Sequence, residues 1–262
     1  MTRKLKRTSE FELRLEVKDD RFVRPPAEAQ RHALFNQFMK EAALDLEALD
    51  RVAGRFVPGG ERHRPVDMRE RTLSDEQIME DWQLPLMRAM ADIVGAHGGD
   101  VLEVGFGRGV SATFLQEYDL ASHTVIECND SVVDRFEEWR QGYPGRDIRM
   151  VRGLWQDTID SLGRFDGIFF HTYALDEDEE IDLLARSVTF ADHFFSAASA
   201  HLRPGGVFTY LTNEVDSLSR AHQRLLFERF SSFRLQIVPL QLPSDVKDAW
   251  WADSMAVIEV VK

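Results

Sequence analysis

The nine residues VLEVGFGRG, 101–109, carry the densest chemical signal in the chain. A largely apolar run feeds straight into Gly105, Gly107 and Gly109, and a helix is expected from about Ser111. Glycines at a strand-to-helix turn let the backbone fold tightly and come close to a ligand. At the end of the next expected strand stands Glu127. A carboxylate there can accept from both hydroxyls of a ribose, which implies a cofactor carrying adenosine; the plainer reading is a structural strand-turn-helix. A dinucleotide site calls for Gly-x-Gly-x-x-Gly, its third glycine allowing a helix to pack close beneath a pyrophosphate. The order here is Gly-x-Gly-x-Gly, and Glu103 is expected to face the site from the strand end. An acidic neighbourhood suits an ammonium. S-adenosyl-L-methionine has no pyrophosphate and ends in an amino acid, so these residues favour it as the cofactor.

The elements needed to position that loop can be read on both sides of it. Short β-branched or aromatic runs fall at 101–105, 123–127, 148–152, 165–170, 206–212, 233–240 and 253–261. Helical stretches separate the first five, which specifies an α/β fold with a mostly parallel sheet covered on both faces. The last two runs lie too close for a packed helix between them, so the final strand is expected to be antiparallel. Ser74 with Gln77 forms a capping box that opens a helix expected to run through Met90 to Gly98-Gly99. Before residue 75 there is no strand alternation. Residues 27–53 place Leu34, Phe35, Phe38, Ala42, Leu46 and Leu49 at helical spacing, after Pro25-Pro26 and before Gly54. The expected organisation is therefore a helical cap over 1–74 and a cofactor-binding domain over 75–262.

Composition narrows the partners. The 262 residues hold 32 basic and 45 acidic side chains, a net charge of −13, whereas nucleic-acid affinity comes largely from neutralised phosphates. The basic stretch after Arg62 is interleaved with acids and reads as a solvated loop. Neither a nucleic-acid nor a membrane partner is expected; a small-molecule substrate is, and a homodimer is left open. The basic start MTRKLKRTSE is followed by charged residues where a signal peptide needs an apolar stretch, so a cytoplasmic location is expected. The single cysteine, Cys128, excludes an internal disulfide, and the histidines lack ligand spacing, so no metal is expected.

VLEVGFG, IECND (126–130), GLWQD (153–157), FDGIFFHTYAL (165–175) and LRPGGVFTY (202–210) occur in an order and spacing that resemble class I S-adenosylmethionine methyltransferases. Within them, the chain resembles guanidinoacetate N-methyltransferase and its arginine-methylating relatives from about Ile78 to Lys262. The resemblance implies a Rossmann-like, seven-stranded sheet with an antiparallel last strand. It gives the Gly105 loop the methionine end of the cofactor and Glu127 the ribose. Cys128 and Asn129 would flank the adenine, with Gly153, Leu154 and Trp155 as its other wall. An indole face stacks well on a purine, though Trp155 also reads as a core residue. Trp82 and Met87, in MEDWQLPLM, match a family segment that covers the cofactor near its sulfonium.

Two departures stand at the acceptor end. The family grips a guanidinium with a Glu after that tryptophan and an Asp opening a DTYP motif; here the positions hold Gln83 and His171. Neither compensates a buried cation, and burying one without paired carboxylates is strongly unfavourable. Asp176 or Glu177, in LDEDEEID, and Glu214 are the candidate replacement carboxylates; the acidic run also reads as a solvated helix start. Trp250-Trp251 match a paired-tyrosine segment of the family. His171 reads as a general base or hydrogen-bonding anchor, or as a strand-end histidine satisfied by backbone. Tyr173 follows it on the same side, and with Gln83 these form the catalytic candidates. The expected function is methyl transfer to nitrogen of a small amine or amino-acid-like metabolite other than a guanidinium. Two alternatives stay open: a cyclase that consumes S-adenosylmethionine to give a small cyclic amino acid and methylthioadenosine, and a non-catalytic S-adenosylmethionine-binding subunit.

Overall fold

The computed structural model describes residues 5–7, 13–15, 69, 71–173, 187–212, 214–243 and 252–262. The chain divides into two compact units, Met1–Arg64 and Pro65–Lys262, so that residues 65–74 fall with the second. In the first unit β1 (Leu5–Arg7) and β2 (Leu13–Leu15) form a small antiparallel pair, with Leu5 opposite Leu15. This corrects the expectation of no strand before residue 75: three residues per strand are too few for an alternation to show. The helix expected over 27–53 lies outside the described residues, as do Ala174, Asp176, Glu177 and Trp250-Trp251.

The second unit is built on seven strands: β3 (Gly99–Val104), β4 (Leu120–Glu127), β5 (Ile148–Arg152), β6 (Phe165–Phe170), β7 (Leu202–Thr212), β8 (Ser232–Pro239) and β9 (Ser254–Val261). Their order is β5-β4-β3-β6-β7-β9-β8. Pairings from β5 through β7 are parallel, and β9 runs antiparallel to both β7 and β8. All seven runs read from the sequence are strands, and the last in the chain is the reversed one.

The central strands are buried on both faces, as a parallel sheet between helices requires. Val101, Val125 and Phe169 pack with α2 (Leu84–His97), α3 (Val110–Leu115) and α4 (Asp130–Arg140) on one face. Leu102, Val104, Ile168 and Phe170 pack on the other with Phe194 and α5 (Phe195–His201), along with Leu226 of α6 (Arg220–Phe227). Each such side chain contributes on the order of 1.5–3 kcal/mol by leaving water. Among the described residues no helix is long and apolar enough to cross a membrane.

The helix expected from Ser74 is broken. Its capping box is present, but α1 ends after one turn (Asp75–Ile78), Met79 is extended, and a 3-10 turn at Asp81–Gln83 leads into α2. Pro85 is the cause: it has no N–H and its ring would clash with the carbonyl a turn earlier, so a helix must restart with proline in its first turn.

Candidate active site

Register places four loops side by side at the carboxyl ends of the parallel strands. Val104 pairs with both Ile126 and Phe170, and Glu127 with Arg152. The ladder continues one step past the strand ends: the Gly105 N–H donates to the Ile126 carbonyl at 2.9 Å, His171 N–H to Val104 at 3.1 Å, and Gly153 N–H to Glu127 at 2.8 Å. Chain order reverses beside β3, the point where open α/β sheets leave a crevice. A cavity opens there, walled by Gly105 and Gly107, by Glu127, Cys128 and Asn129, by Gly153, Leu154 and Trp155, and by His171, Thr172 and Tyr173.

Gly105 has φ +93°, and a Cβ on it would stand 2.2 Å from the His171 carbonyl oxygen. Only glycine lets the β3 loop cross beneath the β6 loop this closely. Glu127 is nearly buried at the cavity wall, and its carboxylate is fixed by backbone donors: Phe106 N–H at 3.0 Å on one oxygen, Cys128 N–H at 2.7 Å and Asn129 N–H at 2.9 Å on the other. Asn129 caps α4, its carbonyl accepting from Val132 N–H at 3.1 Å, while its amide donates to the Arg71 carbonyl at 2.8 Å. Burial, with Glu127 alongside, pushes the Cys128 thiol up to about 12, so it is a neutral, unreactive wall. Trp155 stands edge-on to Phe194, with ring centroids 4.9 Å apart.

His171 is half-buried on the cavity wall, with the ring of Tyr173 edge-on at 5.5 Å. The protein around it displaces water and lowers its pKa to about 4. The imidazole is therefore neutral at physiological pH: a hydrogen-bond acceptor and a weak base, rather than one poised near 6.5.

Of the residues singled out from the sequence, the structure brings Met87, Gly105, Gly107, Glu127, Cys128, Asn129, Gly153, Leu154, Trp155, His171 and Tyr173 to this one cavity. Four others stand elsewhere. Trp82 is buried in the α2 core, its indole N–H donating to Glu80 at 2.8 Å. The Gln83 carboxamide oxygen turns back to accept from Glu80 N–H at 3.1 Å, closing a cap on the 3-10 turn. Gly109, at φ +74°, caps α3 beneath the ring of Phe106. Glu103 is fully buried and does not face the cavity. Strand side chains stand perpendicular to the sheet, so a residue inside β3 points into the layer under α3 and not out of the strand's end. Glu214 does not supply a replacement carboxylate to the cavity: one oxygen accepts from Ser219 N–H at 2.8 Å and the other meets His222 Nδ1 at 2.6 Å.

The sequence reading missed a strap and a corner. Leu73, Gln77, Ile78 and Met79 line the cavity. Their segment is laced to α4 and the glycine loop: Asp130 N–H donates to the Arg69 carbonyl at 2.9 Å, Arg135 to the Leu73 carbonyl at 2.9 Å, and Arg108 to the Met79 carbonyl at 3.0 Å. Phe190 and His193 form a corner beside Trp155. Among the described residues no group of three His, Cys, Asp or Glu side chains could hold a metal.

A sheet of this order, with a reversed last strand and a glycine loop beside an acidic residue at the next strand's end, defines the Rossmann-like class I methyltransferase fold. TYW2 from M. jannaschii, solved with AdoMet, superposes with a TM-score of 0.51 at 13% identity, over 70% of this chain and 76% of that one. The N-methyltransferase NodS from Bradyrhizobium japonicum gives 0.50 at 12% identity, over 70% and 98%. Residues 64–231 match the family model described as guanidinoacetate N-methyltransferase. The chain belongs to that family, an S-adenosylmethionine-dependent one. Protein arginine N-methyltransferase 2 of Yarrowia lipolytica is 28% identical over 151 residues, 53% of this chain and 29% of that protein. Its counterpart in Aspergillus oryzae is 34% identical over 115 residues, 40% of this chain and 27% of that protein. The chain thus spans less than a third of the length of these curated relatives.

Proposed function

We propose that this chain transfers the methyl group of S-adenosylmethionine to a nitrogen of a small amine or amino-acid-like metabolite, and that guanidinium compounds are not its acceptors. The cavity fits the cofactor on two counts: the Gly105 turn packs against the His171 carbonyl where no Cβ fits, which brings bare backbone to the wall, and Glu127 holds a carboxylate ready-oriented there. In this reading Glu127 takes the ribose hydroxyls, and Gly105 and Gly107 bring backbone up to the methionine end. Cys128, Asn129, Gly153, Leu154 and Trp155 enclose the adenine, with Met87 toward the sulfonium. When bound, S-adenosylmethionine supplies an electrophilic methyl group.

One observation carries the choice of acceptor. Among the described residues the only carboxylate on the cavity wall is Glu127, which this reading gives to the ribose. His171 is neutral and stands where the family's guanidinium-binding aspartate is expected. Among the described residues a buried guanidinium would find no counter-charge there, at a cost of several kcal/mol. An amine in its neutral form suits the wall better: its lone pair is the nucleophile, and its N–H can donate to the His171 ring. His171 and Tyr173 then orient the acceptor, and catalysis is mainly positioning. Gln83 enters only by holding the 3-10 turn before α2.

The curated relatives are named as arginine methyltransferases, so the competing acceptor is a guanidinium. The cyclase and the non-catalytic subunit draw no support from them. Formation of S-adenosylhomocysteine should be followed with guanidinoacetate, arginine and a panel of small amines. Turnover is expected with a member of the amine panel and not with either guanidine. Robust methylation of guanidinoacetate or arginine would overturn the acceptor assignment.

A further inference from the structure

The two edges of the seven-stranded sheet are finished differently. An edge strand presents unpaired N–H and C=O groups, and charged side chains are a common guard against pairing with another chain. β5, at one end of the order, has five residues and carries exposed Arg149 and Arg152, each paired with an aspartate. β8, at the other end, has eight, and among the described residues it pairs only with β9. Its one charged side chain, Arg234, lies 3.7 Å from Glu259 of β9 and so is paired within its own sheet. Leu240 N–H donates to the Asp253 carbonyl at 2.8 Å, and the ladder from there back to Ser232 has no register shift. Every second residue of an antiparallel strand bonds the same neighbour. Val238, Gln236, Arg234 and Ser232 therefore face β9, and the backbone groups of Phe233, Leu235 and Ile237 point outward. The side chains of these three share the α6 face, where Phe233 meets the ring of Phe227 at 5.4 Å. Phe227 is 61% exposed and Ile237 41%, two of the three large apolar side chains so exposed among the described residues.

We propose that this edge takes a second copy of the chain, whose own β8 adds antiparallel about a two-fold axis at Leu235. The strand is self-complementary in that register. Leu235 meets Leu235 of the partner subunit and Phe233 meets Ile237 of the partner subunit, so outward backbone groups fall opposite one another as the ladder requires. Arg234 meets Gln236 of the partner subunit, and no like charges are opposed. Neighbouring registers are worse. An axis at Arg234 would set that arginine against itself, and one at Gln236 would put Pro239, which has no N–H, opposite Phe233. On the α6 face Phe227, Phe233 and Ile237 of both copies join into one apolar strip, which covers the exposed rings and the isoleucine. The net charge of −13 repels a second copy at long range, but physiological salt screens that repulsion beyond about 8 Å.

The test is sedimentation velocity of the full chain over a micromolar concentration series in about 0.15 M salt. The wild type should sediment as a species of twice the 30.1 kDa chain. Ile237→Lys alters an exposed side chain and should raise the dimer dissociation constant at least about tenfold, since each copy loses an apolar contact and gains an edge charge. If that variant has no cooperative melt, Phe227→Ser takes its place with the same expectation. Cysteines then read the register. Arg234→Cys mixed with Gln236→Cys should give a disulfide-linked dimer on mild oxidation, because the two positions stand opposite each other within the span of a disulfide. Either variant alone should link far less. A wild type that stays monomeric would overturn the proposal, whether another segment of the chain covers the edge or nothing does. So would a dimer that neither Ile237→Lys nor Phe227→Ser weakens, or cross-linking as efficient in the single variants as in the mixture.

Discussion

The two ends of the cavity are built by different means. Where β3, β4 and β5 end, the wall is made by backbone: a glycine turn held to Ile126, a carboxylate clasped by three N–H groups, and a Gly153 turn tied to Glu127. After β6 it is made by side chains, His171 and Tyr173, whose identity the fold does not constrain. A backbone-built site tolerates little change, because altering it disturbs the sheet register itself. A side-chain wall can exchange a carboxylate for an imidazole and leave every strand in place. One chain can therefore keep a family's cofactor end while its acceptor end takes on a new chemistry.

The largest effect should come from the backbone-built end. Gly105→Ala puts a Cβ into the His171 carbonyl at a left-handed backbone position. We expect destabilisation of at least about 2 kcal/mol in denaturant melts and no measurable S-adenosylhomocysteine binding. An Ala variant with wild-type affinity would show that the loop is not rigid. Glu127→Ala comes next: S-adenosylhomocysteine affinity should fall by about 1.5–3 kcal/mol in calorimetry, since charge-assisted bonds to the ribose are lost. Unchanged affinity would remove Glu127 from the ribose.

The side-chain end should respond to restored charge. His171→Asp should raise affinity for guanidinoacetate by about 1–2 kcal/mol, because it places a carboxylate on the wall. Gln83→Glu alone should do little, since the Gln83 side chain faces the Glu80 backbone and not the cavity. A gain from Gln83→Glu alone, or a double variant whose gain departs from the sum of the two, would mean that Gln83 reaches the acceptor after all. A further effect concerns pH. His171 binds its proton at about 4 in the folded chain and near 6.5 when unfolded, so between these values the unfolded state holds more protons. Its contribution to stability is full above about 6.5 and is lost as pH falls toward 4. Melting temperature should drop over that window, and drop less in His171→Asn; an imidazole titrating near 6.5 by NMR would contradict the burial assigned to it.

The contrast between the two ends also governs what could be read from the sequence. Strand runs, the glycine loop, Glu127 and the Ser74 capping box are local patterns, and each forms where its spacing puts it. Side-chain direction was harder to read. Alternation along β3 puts Glu103 on the same face as Val101, which was legible but outweighed by its closeness to the glycines. Pro85 likewise announced a break that the apolar run of α2 concealed. Apart from that capping box, the strap at 71–79 and the corner of Phe190 and His193 carry no signal that points to the cavity; tertiary contacts far apart in sequence bring them there.

Calorimetry on the wild-type chain, titrated with S-adenosylhomocysteine and then, as the binary complex, with guanidinoacetate, addresses both ends at once. Saturable one-site binding in the first titration and no binding heat in the second is the predicted result. Absence of the first, or a saturable second isotherm, would contradict an intact cofactor end joined to an acceptor end that no longer takes a guanidinium.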